Sequence, residues 1–220
     1  MKPGKRISFF ISALAFVLIS YASYLLILLS LPYIHFEPYV DFLETKQLIY
    51  HIRPWRYSFY IHVFTSPLVI IAGLFQFSPW LFRKSLRFHR VSGYVYVSVV
   101  LLISGPAAFI MSLYANGGYP AQISFVSLSS LWLIFTFIAF WKARKLDFEA
   151  HVKWNIRSYA LTLSAVTLRF YAYLFDVFRF ELGPRETYIL LAYLSWIPNL
   201  LFAELLIYWK YPRYLLSARN

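Results

Sequence analysis

The sequence predicts an all-α integral membrane bundle of six transmembrane helices, and three observations lead there. The 220 residues are 60% hydrophobic, 22% aromatic and only 14% charged, whereas soluble domains carry about 25% charged residues. The apolar residues fall in six blocks, roughly 8–31, 57–77, 92–114, 123–141, 156–178 and 187–209. Each is near or above the roughly 20 residues that cross a bilayer. The basic residues alternate between connections. Lys2, Lys5 and Arg6 precede the first block, and Arg83, Lys84, Arg87 and Arg90 crowd the second connection. Lys142, Arg144, Lys145, Lys153 and Arg157 crowd the fourth, and Lys210, Arg213 and Arg219 follow the last block. That alternation is the positive-inside pattern, and it predicts that both termini are cytoplasmic. With such short connections, residues 1–220 read as a single integral membrane domain. The net charge of +12 then serves orientation and lipid headgroups, and no nucleic acid partner is expected.

Span one, 8–31, has no charged residue and reads as a peripheral, lipid-facing helix. Its apolar run exceeds the core of a secretory signal, about 7–15 residues, so it is expected to stay uncleaved. The connection that follows is the longest. Pro32, Pro38 and Pro54 punctuate it, leaving Tyr39 to Ile52 as a short amphipathic helix on the membrane surface. Spans two, three and six each hold an interior proline, Pro67, Pro106 and Pro198. Such residues kink a membrane helix and free a carbonyl that neighbours must re-satisfy. There is no cysteine, which excludes disulfides, iron–sulfur clusters, thiol nucleophiles and covalently attached haem. No metalloprotease or nucleotide-binding pattern is present, and seven glycines leave little material for phosphate-cradling loops. Enzyme chemistry is not expected.

Span five carries the polar residues in a line. His151 to Arg169 is 18 residues, five turns at about 3.6 residues per turn. Ser158 and Thr162 fall near the same face, Asn155 and Tyr173 at its edge, and Asp176 at its far end. Lipid cannot solvate such a line, so it is expected to face the bundle interior, and an arginine at mid-membrane is a functional-site hypothesis by default. In span two, His62, Ser66, Gly73 and Gln76 share a face, with Thr65 at its margin. His62 is near Arg169, Tyr173 and Asp176 in depth, and Glu204 is the acid of span six. These five, His62, Arg169, Tyr173, Asp176 and Glu204, form the expected polar cluster for a small anionic or polar ligand, bound or transported. Asn199 points to the other side of span six.

A second constellation lies at the other membrane edge. His89 opens span three and His151 opens span five, both on the predicted cytoplasmic side. Two neutral imidazoles are a common axial pair for b-type haem, so haem b is the alternative reading, with His89 and His151 as metal ligands. His62 lies too far across the membrane to join either, and only His35 and His51 remain near it. A third reading makes the stripe a lock between helices in a structural or assembly subunit with a membrane protein partner.

The paired elements HRVSGYVY and HVKWNIRSYALTLSAVTLR resemble a family of bacterial multi-pass membrane proteins classed as a domain of unknown function. The elements are H-R-x-x-G-x-x-Y and H-x-x-W-x-x-R-S with a later T-L-R. Here they are His89, Arg90, Gly93 and Tyr96, then His151, Trp154, Arg157, Ser158, Thr167, Leu168 and Arg169. The resemblance covers about residues 55–205 and implies a multi-pass protein of a bacterial cytoplasmic membrane, without implying an activity. A more distant likeness is to the haem-binding ferric reductase type of membrane domain, where a similar H-R-x-x-G element opens a span. There the ligands are further histidines deeper in the helices. Spans three and five have none beyond His89 and His151.

Overall fold

The computed structural model describes residues 3–77 and 84–217. Lys2, Arg83 and Arg219, counted above among the orienting basic residues, lie outside the described residues. Every regular element among the described residues is helical, and six helices are long and apolar enough to cross a membrane. They are α1 (Pro3–Ser30), α2 (Arg53–Gln76), α3 (Leu86–Ser112), α4 (Tyr119–Arg144), α5 (Phe148–Val177) and α6 (Pro184–Tyr208), followed by a short α7 (Tyr211–Ser217). Most run past the apolar blocks at their ends, because a helix beyond the hydrocarbon needs no apolar side chains. We call the end where α2, α4 and α6 finish the basic end.

Prolines and side-chain donors shape the helices. In α3, Pro106 has no amide to donate, and the Gly105 N–H reaches back five residues to the Val100 carbonyl. The result is a π-turn over Val100–Ser104, a register change of the kind that frees side chains to point at functional positions. Pro67 sits inside α2, which stays helical from Arg53 to Gln76. α6 breaks at Ser195 and Trp196, just before Pro198.

Two expectations need correction. The polar line of span five is not continuous, because α5 is two helices, Phe148–Thr162 and Ser164–Val177, meeting at Leu163. Thr167 Oγ1 donates to the Ser195 carbonyl of α6 at 2.5 Å, and Asn199 Nδ2 donates to the Ala160 carbonyl at 3.1 Å. Side chains thus satisfy carbonyls at both breaks, as backbone in hydrocarbon requires. The stretch Tyr39 to Ile52 is not an amphipathic helix. Only Asp41–Lys46 coils, as a 3₁₀ turn, and Gln47 caps the backbone by donating to the Pro38 and Leu43 carbonyls at 2.5 and 3.0 Å. Lys46 folds inward, donates to the Tyr114 carbonyl at 2.6 Å and lies over the rings of Phe42 and Trp55. That bond straps the long connection to the end of α3. At the basic end, Asp147 caps α5 by accepting from Ala150 N, and the Lys142 ammonium 2.9 Å away holds its carboxyl below the usual range.

The core sits where α2, α3, α4 and α5 meet, around Val69, Tyr96, Val100, Trp132, Tyr159 and Leu161. The outer faces of all six helices are apolar and exposed, the surface a bilayer covers.

Candidate functional site

Polar side chains of the inner half of α5 do face inward, and they meet α3 and α4 in a closed ring of hydrogen bonds. Trp132 Nε1 donates to Thr162 Oγ1 at 2.9 Å, and the Thr162 and Tyr96 hydroxyls lie 2.8 Å apart. Tyr96 and Ser158 are 2.7 Å apart, and Ser158 and Thr136 2.6 Å. Thr136 then donates to the carbonyl of Trp132 at 2.7 Å. The hydroxyl contacts form a circuit that starts and ends on Trp132, and Thr162 Oγ1 also lies within donating distance of the Ser158 carbonyl, at 3.1 Å. All five residues are buried. Satisfied buried networks fix a unique packing, and this one ties three helices at the centre of the bundle.

Above that ring, toward the basic end, opens a cavity of about 470 Å³. Its floor includes Tyr96 and Thr136, two members of the ring. Its walls carry His89, Arg90 and Gly93 of α3, Arg144 of α4, and His151 and Asn155 of α5. Periodicity explains the set: His89, Gly93 and Tyr96 are spaced four and three residues apart and so share one face of a helix. The rest of the lining is mostly apolar, including Phe77, Phe140 and Val152, with Leu215 and Leu216 of α7 at the rim.

The two histidines come from different helices and lie close enough for a charge on one to act on the other. His151 Nδ1 is 2.8 Å from the Ala139 carbonyl. A carbonyl only accepts, so this bond places the proton on Nδ1 and leaves Nε2 with its lone pair. The His89 backbone is held as well, its carbonyl accepting from Gln76 Nε2 at 3.0 Å while that amide also bonds Ser92 Oγ at 2.6 Å. Gln76 of α2 thus faces α3, and Gly73 lies against Tyr159 of α5 and Tyr96 of α3. A methyl group on Gly73 would collide with the Tyr159 ring.

The five-residue polar cluster expected in the other half is not assembled. His62 is packed edge-on to Trp132, with Nδ1 3.1 Å from both the carbonyl and the hydroxyl of Ser104 in the π-turn. Arg169 is near enough for its charge to act on His62 and on Tyr33, a residue the sequence reading did not single out. Tyr173 is 64% exposed and faces outward. Asp176 lines a separate hollow with Arg179 and Thr187. Glu204 is engaged elsewhere, its carboxylate gripping Arg157 of α5 through two bonds of 2.5 and 2.8 Å. The physical reason is the break at Leu163, which ends the alignment that continuous periodicity had extrapolated.

The second motif element therefore divides between two roles. His151 lines the cavity and Ser158 belongs to the ring. Trp154 and Arg157 turn toward other helices, the guanidinium 4.6 Å above the indole, which packs on Phe135. Thr167 closes the α5–α6 break, and Leu168 lies beside Arg169 on the second half of α5. The ring members Trp132 and Thr136 were missed, although their spacing of four residues in span four was a legible sign of one shared face.

Fold and surface together define an all-helical, multi-pass membrane protein whose helices contact the lipid bilayer. The chain belongs to the family described as "Predicted membrane protein (DUF2306)", whose model matches residues 59–207. No curated protein and no solved structure matches the chain.

Proposed function

We propose that the cavity at the basic end holds a b-type haem, whose iron His89 and His151 would hold. The observation that carries this reading is the pair itself: two imidazoles from α3 and α5 lining one cavity, with His151 oriented by the Ala139 carbonyl. Metal-ligating histidines commonly donate their other ring nitrogen to a carbonyl in this way. Among the described residues no three His, Asp or Glu side chains gather as a metal cluster. Two imidazoles suit a metal whose remaining ligands arrive with it, as porphyrin iron does. Apolar walls suit the macrocycle, and Arg90 and Arg144 suit its carboxylates. Such a group supplies one-electron transfer, and the chain's own part is to hold, orient and shield it.

The test is haem content after expression with haem supplied. Wild-type protein should carry about one haem per chain, and His89→Ala or His151→Ala should lose most of it while staying folded. Haem-free wild-type protein under those conditions overturns the reading.

A second reading places a small anionic or polar ligand in the same cavity, favoured by Arg90 and Arg144 on its lining. The closed ring beneath it supports a resident ligand over a transported one. This reading predicts a colourless protein whose thermal stability rises with an added dicarboxylate and falls in Arg144→Gln. We place the protein in a bacterial cytoplasmic membrane with both termini inside, on the strength of the basic connections.

A further inference from the structure

We infer that the hollow between the end of α5 and the start of α6 binds the headgroup of a zwitterionic phospholipid, one with a primary ammonium beside its phosphate. The hollow has a volume of about 370 Å³ and is lined by Asp176, Arg179 and Thr187 among Phe175, Phe180 and Leu191. A carboxylate and a guanidinium thus share one small space, yet the ion pairs among the described residues include neither. Their chemistry is complementary to a zwitterion: the guanidinium fork matches a phosphate at two points, and the carboxylate accepts from an ammonium. The Thr187 hydroxyl adds a donor, and apolar side chains wall the rest.

The backbone singles out Arg179. At the end of α5 the Arg179 N–H donates to the Asp176 carbonyl and the Phe180 N–H to the Phe175 carbonyl, both at 3.1 Å. That pair of bonds is the Schellman ending of a helix, whose reversing residue is usually glycine. Arg179 takes that place at φ 49°, in the left-handed region that an L side chain adopts only at a cost. Phe175 and Phe180 pack across the turn with ring centroids 4.8 Å apart. Glycine would make the same turn with less strain, so the turn itself gives no reason for a guanidinium. An anion in the hollow does.

Depth makes the occupant a lipid. In α5, residues 158–175 are 18 positions with Arg169 their one charge, and in α6, residues 187–203 are 17 positions with none. At about 1.5 Å per residue these stretches are about 27 and 26 Å long, close to the roughly 30 Å of hydrocarbon. Asp176 and Thr187 therefore stand at the far boundary of the hydrocarbon, the depth of lipid headgroups. Glu181, Arg185 and Glu186 lie beyond it and are exposed. Phe170, Tyr173 and Val177 are exposed as well, and their spacing of three and four residues puts them on one face of α5. That apolar stripe runs up to the same depth, so an acyl chain can lie along it while the headgroup fills the hollow.

Native mass spectrometry of the full chain in detergent, titrated separately with phosphatidylethanolamine, phosphatidylglycerol and phosphatidylcholine, tests this. Wild-type protein should retain the first about tenfold more tightly than the other two, since glycerol lacks the ammonium and choline lacks its N–H donors. Asp176→Asn should bring phosphatidylethanolamine down to the level of phosphatidylglycerol. Arg179→Gly should weaken all three, which share the phosphate, without lowering thermal stability, because the turn is relieved. A purely structural arginine would not give that combination. Arg185→Gln, at the same end and bonded to the Gly117 carbonyl, should bind as wild type does. Equal retention of the three lipids, or an unchanged preference in Asp176→Asn, overturns the inference. So does displacement of the lipid by millimolar glycerophosphoethanolamine, which would make the occupant a soluble zwitterion. If Arg179→Gly yields no folded, monodisperse protein, the arginine is structural and the inference also fails. The haem reading stands or falls separately, because its site is at the other end.

Discussion

The hydroxyl of Tyr96 does two things at once: it closes the central ring and it floors the cavity. Removing it in Tyr96→Phe leaves the Thr162 and Ser158 hydroxyls each short of a partner, at a cost of about 1–2 kcal/mol. Thermal unfolding in detergent should show the lower stability with helix content unchanged. Gly73→Ala should be harsher than its one added carbon suggests, because the methyl meets the buried Tyr159 ring. Tyr159 cannot retreat without giving up its 3.0 Å bond to the Ile70 carbonyl, so a loss of about 1–3 kcal/mol is expected. Lys46 gives the pH test. Burial lowers its folded pKa to about 8, against about 10.4 in an unfolded chain. Between those values the unfolded chain holds more protons, so stability should climb as pH rises through that window and stay flat just below it. Lys46→Met should abolish the climb. A flat profile for wild type from pH 8 to 10 contradicts the buried position.

At the scale of helices, α5 and α6 are each broken and are joined on both sides of the breaks. Nearer the basic end the joint is Arg157 with Glu204, and nearer mid-depth it is Thr167 and Asn199 on opposed carbonyls. Glu204→Gln leaves a guanidinium without its carboxylate and should cost about 1–2 kcal/mol. The double variant Arg157→Met with Glu204→Met should cost less than the two single changes added together; strict additivity would mean the pair contributes no coupling. This is also the scale at which sequence reasoning met its limit. The first fifteen residues of α5 were legible, since His151, Asn155, Ser158 and Thr162 follow helical periodicity to the cavity and the ring. Beyond Leu163 the same arithmetic failed, because no proline or glycine announces the break in TLSAVT. The contact that accompanies it, Thr167 on Ser195, comes from a helix 28 residues away. By contrast Pro106 marked the π-turn, though periodicity alone gives no reason to expect five-residue bonding there. The Lys46 strap was illegible for a similar reason: its acceptor is a carbonyl 68 residues distant.

At the scale of the molecule, polarity is arranged by depth. A basic rim surrounds a mostly apolar cavity, a closed ring lies beneath it, and the far half holds His62 bonded to Ser104 and Arg169 bonded to the Ala165 carbonyl. Six spans and their order follow from composition and block length, so the architecture was the most legible feature. The site was half legible, because the paired histidines and their side of the bundle follow from the order of the spans, while the cavity between them depends on packing. The central claim is that this cavity exists to hold haem between His89 and His151. An absorbance spectrum of purified, haem-supplied protein, taken oxidised and then reduced with dithionite, tests it most directly. The account predicts a Soret band that sharpens and shifts on reduction, with a narrow α-band typical of a bis-histidine site, and its loss in His151→Ala. A wild-type spectrum with no absorbance beyond that of its tryptophans and tyrosines would contradict it.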